Sequence, residues 1–338
     1  MRLNSANRSF LALTGVALLG GMYVLWGAVG SVLAPLAFAR ISHRGLGGLA
    51  GSGDSLVPAF LFLVVVALGL ALGFHSISRQ IIASRRLERR MCGLTLTMPS
   101  NLALTAGDVG LGGRVVLLDE PERFSFAYGM LNPRVAVSRG LLEGVSPLEL
   151  KAVLKHERYH VRNLDPLKAL LVQALSATFF LLPALDSLGG RYLACRELAA
   201  DRQAVAACGH GPLAGALLKA VRGPACGELD GVAPIGGPDL LDVRVAQLET
   251  GAEPRLPALG MTRATLSLAG ITLLAALFLA SVSSFGGAAA ISRATGSGLS
   301  AALLSGLICA VPFAGASVMA YWMVARRASR PLSANEAH

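Results

Sequence analysis

The sequence predicts a mainly α polytopic membrane protein that carries a small cytoplasmic α+β domain. Only 15% of the 338 residues are charged and 54% are hydrophobic, whereas a soluble globular protein carries about a quarter charged residues. The apolar residues are gathered into five long runs, which is the pattern of membrane spans. Two polar regions, residues 76–166 and 186–262, are long enough to fold outside a bilayer.

Four of the apolar runs are predicted to cross the membrane, because about 20 apolar residues suffice to cross about 30 Å of hydrocarbon. The first run is longer than the roughly 7–15 residues of a secretory signal core, so we expect an uncleaved anchor. The four runs are residues 9–39, 57–74, 264–283 and 299–324. The predicted organisation is a pair of transmembrane helices in 1–75, a cytoplasmic domain in 76–262, a second transmembrane pair in 263–325 and a cytoplasmic tail in 326–338.

Arginine clusters predict the orientation. SRQIIASRRLERR follows the second span and ARRASR follows the last one. Because positive residues flank membrane helices on the cytoplasmic side, the domain and both termini are predicted to be cytoplasmic, in a plasma or inner membrane. The net charge of +10 is attributed to topology and contact with lipid headgroups. No recognition motif accompanies the arginines, which argues against direct nucleic-acid binding.

The first polar region contains three strand-like runs at residues 115–118, 124–128 and 135–137. Glycine, proline and asparagine turn signals separate them, so a small, partly antiparallel sheet is expected. Next, SPLE at residues 146–149 combines a capping box with a proline at the first helical position, which predicts a helix to about Leu164. Asp165 and a following proline repeat this device and predict another helix.

The helix opened by the capping box carries the sequence HERYH at residues 156–160. His156 and His160 are four residues apart and therefore project from one face. Two imidazoles in this arrangement can chelate one Zn²⁺, and Glu157 can reach a water molecule at the metal. The alternative is a pair of surface histidines on a charged helix. The well-capped helix favours the metal site.

A second pair of polar residues, Glu197 and Asp201, is spaced by four residues in RELAADRQAV. A catalytic zinc requires a third protein ligand and one open position for water. A carboxylate on an alanine-rich helix, which can approach another helix closely, can be that third ligand. The alternative is a solvated acidic face paired with Arg196 and Arg202.

The run FAYGMLNPRVAVSRGLLEGVSPLELKAVLKHERYHVRNLDPLKALL, followed by RELAADRQAV, resembles the membrane-embedded gluzincin metallopeptidases of the β-lactam sensor–transducer (antirepressor) family. The likeness covers about residues 124–207. The neighbouring HtpX-type and prenyl-protein membrane proteases share the same ligands. The resemblance implies a zincin-type catalytic domain, an HExxH helix plus a short sheet.

The resemblance also implies the residue roles. One zinc ion per chain would be held by His156, His160 and Glu197. Glu157 would act as general base, and Asp201 would orient a ligand histidine through a hydrogen bond.

This ligand set requires the apolar segment between the two motifs to double back. A single crossing by residues 167–184 would leave Glu197 about 30 Å from His156, across the bilayer. Pro183 interrupts the segment, and two antiparallel helices of about 16 residues each would return the chain after a reach of about 24 Å. We therefore predict a membrane-dipping helical hairpin at about residues 166–196.

The function implied by the resemblance is a membrane zinc endopeptidase that cleaves a protein or peptide, by resemblance a transcriptional repressor, at the cytoplasmic face. The alternatives are an HtpX-like quality-control or processing protease and a non-catalytic membrane signal transducer. The residues after the last span are too few for the penicillin-binding sensor domain, so antibiotic sensing is not expected. An extended substrate is expected to pair with a strand edge within residues 124–138. Arg244 and Tyr159 are candidate oxyanion stabilisers, with a surface role as the alternative for each.

Overall fold

The computed structural model describes residues 5–41, 53–221, 240–254, 256 and 260–284. The predicted span at 299–324 and the tail at 326–338 lie outside these residues. Contacts divide the chain into two compact units. Among the described residues, the first unit contains those within 1–10, 75–173 and 190–256, and the second unit contains the others.

Three helices in the described residues are long and apolar enough to cross a membrane. They are α1 (Ser5–Ile41), α2 (Gly53–Gly93) and α10 (Met261–Ser284), and their candidate spans are Ala6–Leu25, Val57–Gly93 and Met261–Phe278. The long apolar runs of the sequence thus form helices where three of the four spans were expected. Their orientation stays a prediction.

Two glycines allow close backbone contacts within the second unit. Gly69 of α2 faces the carbonyl oxygen of Thr178, and Gly270 of α10 faces that of Leu181, so closely that a Cβ at either position would overlap the backbone. Small residues at such contacts are typical of helices that associate within membranes, where close backbone approach replaces the hydrophobic driving force.

The first unit contains a small mixed sheet. Its strands are β1 (Thr95–Leu96), β2 (Val115–Leu118), β3 (Ser125–Tyr128) and β4 (Arg134–Ser138). Their order is β1-β2-β4-β3, with β2 and β4 parallel and the other two pairs antiparallel. The three predicted strands are confirmed to within about a residue, whereas the two-residue β1 was not predicted. Within the described part of the chain, β3 pairs on one side only.

Helices of the first unit pack around this sheet. They are α3 (Ser100–Asp108), α4 (Arg139–Gly144), α5 (Pro147–Asn163), α8 (His210–Val221) and α9 (Leu241–Thr250). One face of α5 contributes to a core shared with β4 and α3, formed among others by Leu102, Val135, Val137, Leu150, Val153 and Leu154. Each such buried side chain stabilises the fold by about 1.5–3 kcal/mol. This packing holds α5 against the sheet.

Both ends of α5 lie where the sequence predicted them. The hydroxyl of Ser146 accepts from the backbone N–H of Glu149, whose carboxylate accepts from the Ser146 N–H at 2.6 Å, which completes the capping box. At the other end, Leu164 adopts a left-handed conformation with φ +52°. This conformation ends the helix and turns the chain so that Asp165 lies beside the last turn of α5.

The segment after α5 forms α6 (Asp165–Thr178) and α7 (Pro183–Cys208). The hydroxyl of Tyr192 on α7 donates a 3.2 Å hydrogen bond to Asp165 at the start of α6. The chain therefore doubles back between these helices as predicted. Its insertion into a membrane stays a prediction.

Candidate metal centre

Two imidazoles and one carboxylate converge between α5 and α7. The Nε2 atoms of His156 and His160 lie 3.1 Å apart. The Oε2 atom of Glu197 lies 3.4 Å from the first and 3.7 Å from the second. Three ligand atoms within 4.8 Å of one another can bind a single metal ion. The structure thus brings together the three residues that the resemblance implied as ligands.

The Nδ1 atoms of the two imidazoles show that this donor set fits a metal. Nδ1 of His160 lies 2.7 Å from Oδ2 of Asp165, and Nδ1 of His156 lies 2.8 Å from Oδ1 of Asp201. The contact between His156 and Asp201 is short, although the Nδ1–H bond does not point directly at the carboxylate oxygen. A carboxylate beside Nδ1 favours the proton there and leaves Nε2 as a lone-pair donor. Two such lone pairs facing each other suit a cation.

Buried charges surround the donors. Burial opposes protonation of His156, but Asp201 and Glu197 outweigh it and raise the pKa of this imidazole to about 9. Burial would raise the pKa of Glu197, but His160, Arg196 and His156 hold it well below its ordinary value. The cluster therefore has the negative character that attracts a cation, whether proton or metal.

Glu157 points into the same site from α5. Its side chain is 2% exposed, and its Oε1 accepts a 2.8 Å hydrogen bond from the hydroxyl of Ser125, which is fully buried on β3. This contact orients the carboxylate. A carboxylate that accepts protons beside a metal site is the requirement for a general base.

The acidic pair on α7 is not a solvated face. Asp201 is 0% exposed, and the side chain of Glu197 is 14% exposed. Arg196 donates to Oε1 of Glu197 at 3.1 Å, which leaves Oε2 toward the histidines, whereas Arg202 contacts Glu253. The alternative of a solvated face is therefore wrong.

Arg244 and Tyr159, the candidate oxyanion stabilisers, are both buried, so a surface role is wrong for each. Nε and Nη2 of Arg244 each donate a 2.7 Å hydrogen bond to Asp201. This pairing lowers the pKa of Asp201, although burial acts in the opposite direction. The ring of Tyr159 meets that of His160 edge-on at 5.8 Å. An oxyanion role for either residue stays a prediction.

Three contributors were not recognised in the sequence. Asp165 was interpreted only as a helix cap, although its position five residues after His160 was visible. Arg196 was interpreted as a surface partner of the acidic pair. Ser125 lies in a strand and carries no local signal, because only the packing of β3 against α5 brings it to Glu157.

Residues 101–222 match the model of peptidase family M48. The matched segment includes His156, Glu157, His160, Glu197 and Asp201.

The curated relatives are HtpX proteins. A protease HtpX homolog of Nitrosomonas eutropha is 33% identical over 131 residues, which cover 35% of this chain and 45% of the relative. Protease HtpX of Shewanella putrefaciens is 43% identical over 72 residues, 21% of this chain and 25% of the relative. The chain thus spans less than half the length of these relatives. No solved structure matches at a significant level.

This similarity is to the neighbouring HtpX type that the sequence motifs indicated. The closer likeness to sensor–transducer peptidases stays a prediction.

The M48-like segment opens onto a cavity of about 1100 Å³. His156, His160, Glu157 and Glu197 line it. Residues 126–130, from β3 and the turn after it, also line it. An extended peptide in this cavity would therefore lie beside both the candidate general base and a strand edge.

Proposed function

We propose that this protein is an integral-membrane zinc metalloendopeptidase that hydrolyses peptide bonds at the cytoplasmic face. The observation that carries the proposal is the convergence of both Nε2 atoms and Oε2 of Glu197 within 4.8 Å. The match to peptidase family M48 supports a metallopeptidase. The zinc-binding residues would be His156, His160 and Glu197, with one ion per chain.

The chemistry that zinc supplies when bound is polarisation of the scissile carbonyl and a lower pKa for the attacking water. Glu157, held by Ser125, takes a proton from that water and passes it to the leaving amine. Such acid–base catalysis commonly contributes about 10²–10⁴-fold. Asp165 and Asp201 keep the imidazoles in the required tautomer and orientation.

Substrate binding would use the edge of β3. The outer edge of a strand has unpaired N–H and C=O groups, and an extended peptide can add to it as another strand. Because residues of β3 line the same cavity as Glu157, this addition would place a peptide bond near the metal site.

Two substrate classes fit the proposed peptidase. The similarity to HtpX proteins favours quality control or processing of membrane proteins, and the likeness to antirepressor peptidases favours cleavage of a repressor-like protein. A non-catalytic transducer has no need of the complete set of ligands and oriented imidazoles.

The test uses the full-length protein in detergent. We expect about one zinc per chain, zinc-dependent hydrolysis of a fluorogenic peptide, loss of hydrolysis with a chelator and recovery on adding zinc. Substrate trapping with Glu157→Gln in native membranes would then identify the substrate class. Protein without bound zinc, or hydrolysis that survives chelation, would contradict the proposal.

A further inference from the structure

A stripe of arginines on α2 lines the cavity that contains the candidate metal centre. Its four members are Arg79, Arg86, Arg89 and Arg90, and all are exposed. Among the residues that the structure describes, none of the four has a carboxylate within ion-pair distance; the ion pairs of the first unit involve other arginines. The adjacent Arg85 is also exposed but does not line the cavity.

The acidic groups of the same cavity are engaged elsewhere. Glu157 accepts from Ser125, and Glu197 faces Arg196 and the histidines. Asp165, which lines the cavity together with Glu157 and Glu197, contacts His160 and Tyr192. The carboxylates of the site therefore do not neutralise the arginine stripe. The cavity wall on α2 keeps a strong positive charge toward anything that enters.

On the basis of the proposed peptidase function, we propose that the substrate is a peptide segment rich in Asp and Glu. Its backbone lies along β3, and its carboxylate side chains reach the stripe. Guanidinium groups bind carboxylates through two parallel N–H donors, which makes arginine suited to this recognition. The stripe thus selects which extended segments reach Glu157, because a positive wall disfavours basic ones.

Anionic lipid headgroups carry the same chemistry, but the position of the stripe favours a peptide. The four arginines line the same cavity as Glu157 and the residues of β3, where an extended peptide would lie beside the candidate general base.

The test compares two internally quenched peptides that differ only by Glu→Gln changes on both sides of the scissile bond. Full-length protein in neutral detergent is assayed for kcat/KM on each peptide. We expect the wild type to prefer the acidic peptide by about tenfold at low salt and less at 1 M salt, where the screening length falls to about 3 Å.

Matched variants assign the preference to the stripe. Arg86→Gln should reduce the ratio of acidic to neutral cleavage about threefold, because a single exposed charge pair usually contributes about this much. The double variant Arg86→Gln/Arg89→Gln should cleave both peptides equally well. Arg85→Gln, one position away and off the cavity, should keep the wild-type ratio. Equal cleavage of both peptides by the wild type, or an unchanged ratio in the double variant, would overturn the inference.

Two further measurements separate the other outcomes. If the double variant loses binding to vesicles that contain anionic lipid but keeps its peptide preference, the stripe binds lipid and the inference is wrong. If no peptide is hydrolysed, the proposed function fails, and fluorescence anisotropy decides the inference alone. Tighter binding of the acidic peptide to Glu157→Gln protein, lost with the Arg86/Arg89 changes, would support it, and equal binding of both peptides would refute it.

Discussion

The hydroxyl of Ser125 donates a 2.8 Å hydrogen bond to Oε1 of Glu157. Both residues are buried, and the contact joins the edge strand β3 to the helix that carries the two histidines. The strand expected to bind substrate thus also orients the candidate base. We therefore expect substrate binding at β3 and proton transfer at Glu157 to be linked.

Ser125→Ala should lower kcat by about tenfold, because a hydrogen bond to a charged group contributes about 1.5–3 kcal/mol, and part of it is needed only during proton transfer. KM and zinc content should stay the same, since neither β3 pairing nor the metal ligands change. Ser138→Ala is the control. This buried serine accepts hydrogen bonds from the backbone N–H groups of Phe124 and Leu141, whereas Ser125 donates one to the candidate base. It should lower stability with kcat retained. An unchanged kcat in Ser125→Ala would exclude the positioning role.

Glu157→Gln should retain zinc and lose peptide hydrolysis by about 10²–10⁴-fold or more, because the amide is nearly isosteric but cannot accept the proton. His156→Ala should lose zinc as well, since it removes one of three ligands. Zinc content by mass spectrometry and initial rates on one peptide distinguish the two. Turnover by Glu157→Gln would contradict the general-base role of Glu157. Full zinc occupancy in His156→Ala would show that His156 is not a ligand.

Asp165→Asn and Asp201→Asn should each weaken zinc binding about 10–100-fold. Each carboxylate faces the Nδ1 atom of a different histidine, and an amide no longer stabilises the proton on that nitrogen. Competition with a chelator of known affinity measures the effect. Asp119→Asn, at an exposed ion pair with Arg139, should bind zinc like the wild type. Equal affinity in all three variants would contradict the orienting role.

Arg244→Leu should destabilise the protein by about 3–5 kcal/mol, because it leaves Asp201 buried without its partner. Arg139→Leu should cost less than about 1 kcal/mol, because its pair with Asp119 is exposed to solvent. Thermal unfolding in detergent compares the two. Similar losses for both would show that the Asp201 pair is not the stabilising contact that its burial indicates.

Glu149 predicts a pH-dependent contribution to stability. Burial would raise its pKa, but hydrogen bonds from Lys219 and the Ser146 backbone lower it below the unfolded value of 4.5. A lowered pKa stabilises the fold above the unfolded value, and this stabilisation is lost as pH falls through the folded value. Glu149→Gln should therefore be about 1 kcal/mol less stable than wild type at pH 7, and the difference should shrink below about pH 4.5. A pH-independent difference would refute this.

Local patterns accounted for much of the fold. The capping box of α5 and the strand at Val115–Leu118 lie where the sequence predicted them, since hydrogen bonds and periodicities of a few residues specify such elements. The return of Glu197 to His156 was also predicted, because one metal requires it. In contrast, β1 was not predicted, since a two-residue strand has no periodicity and forms only by pairing with β2.

By itself, the sequence determined the element types, the candidate spans and the spacing of His156 and His160 on one helical face, because these follow from contacts within about one helical turn. Only the tertiary structure decided which groups hold these residues in place. The Ser125 contact joins positions 32 residues apart, and the Arg244 contact with Asp201 joins positions 43 apart. Such pairs produce no local pattern in the sequence, because only the packing of distant segments brings them together. Their burial then strengthens the contacts.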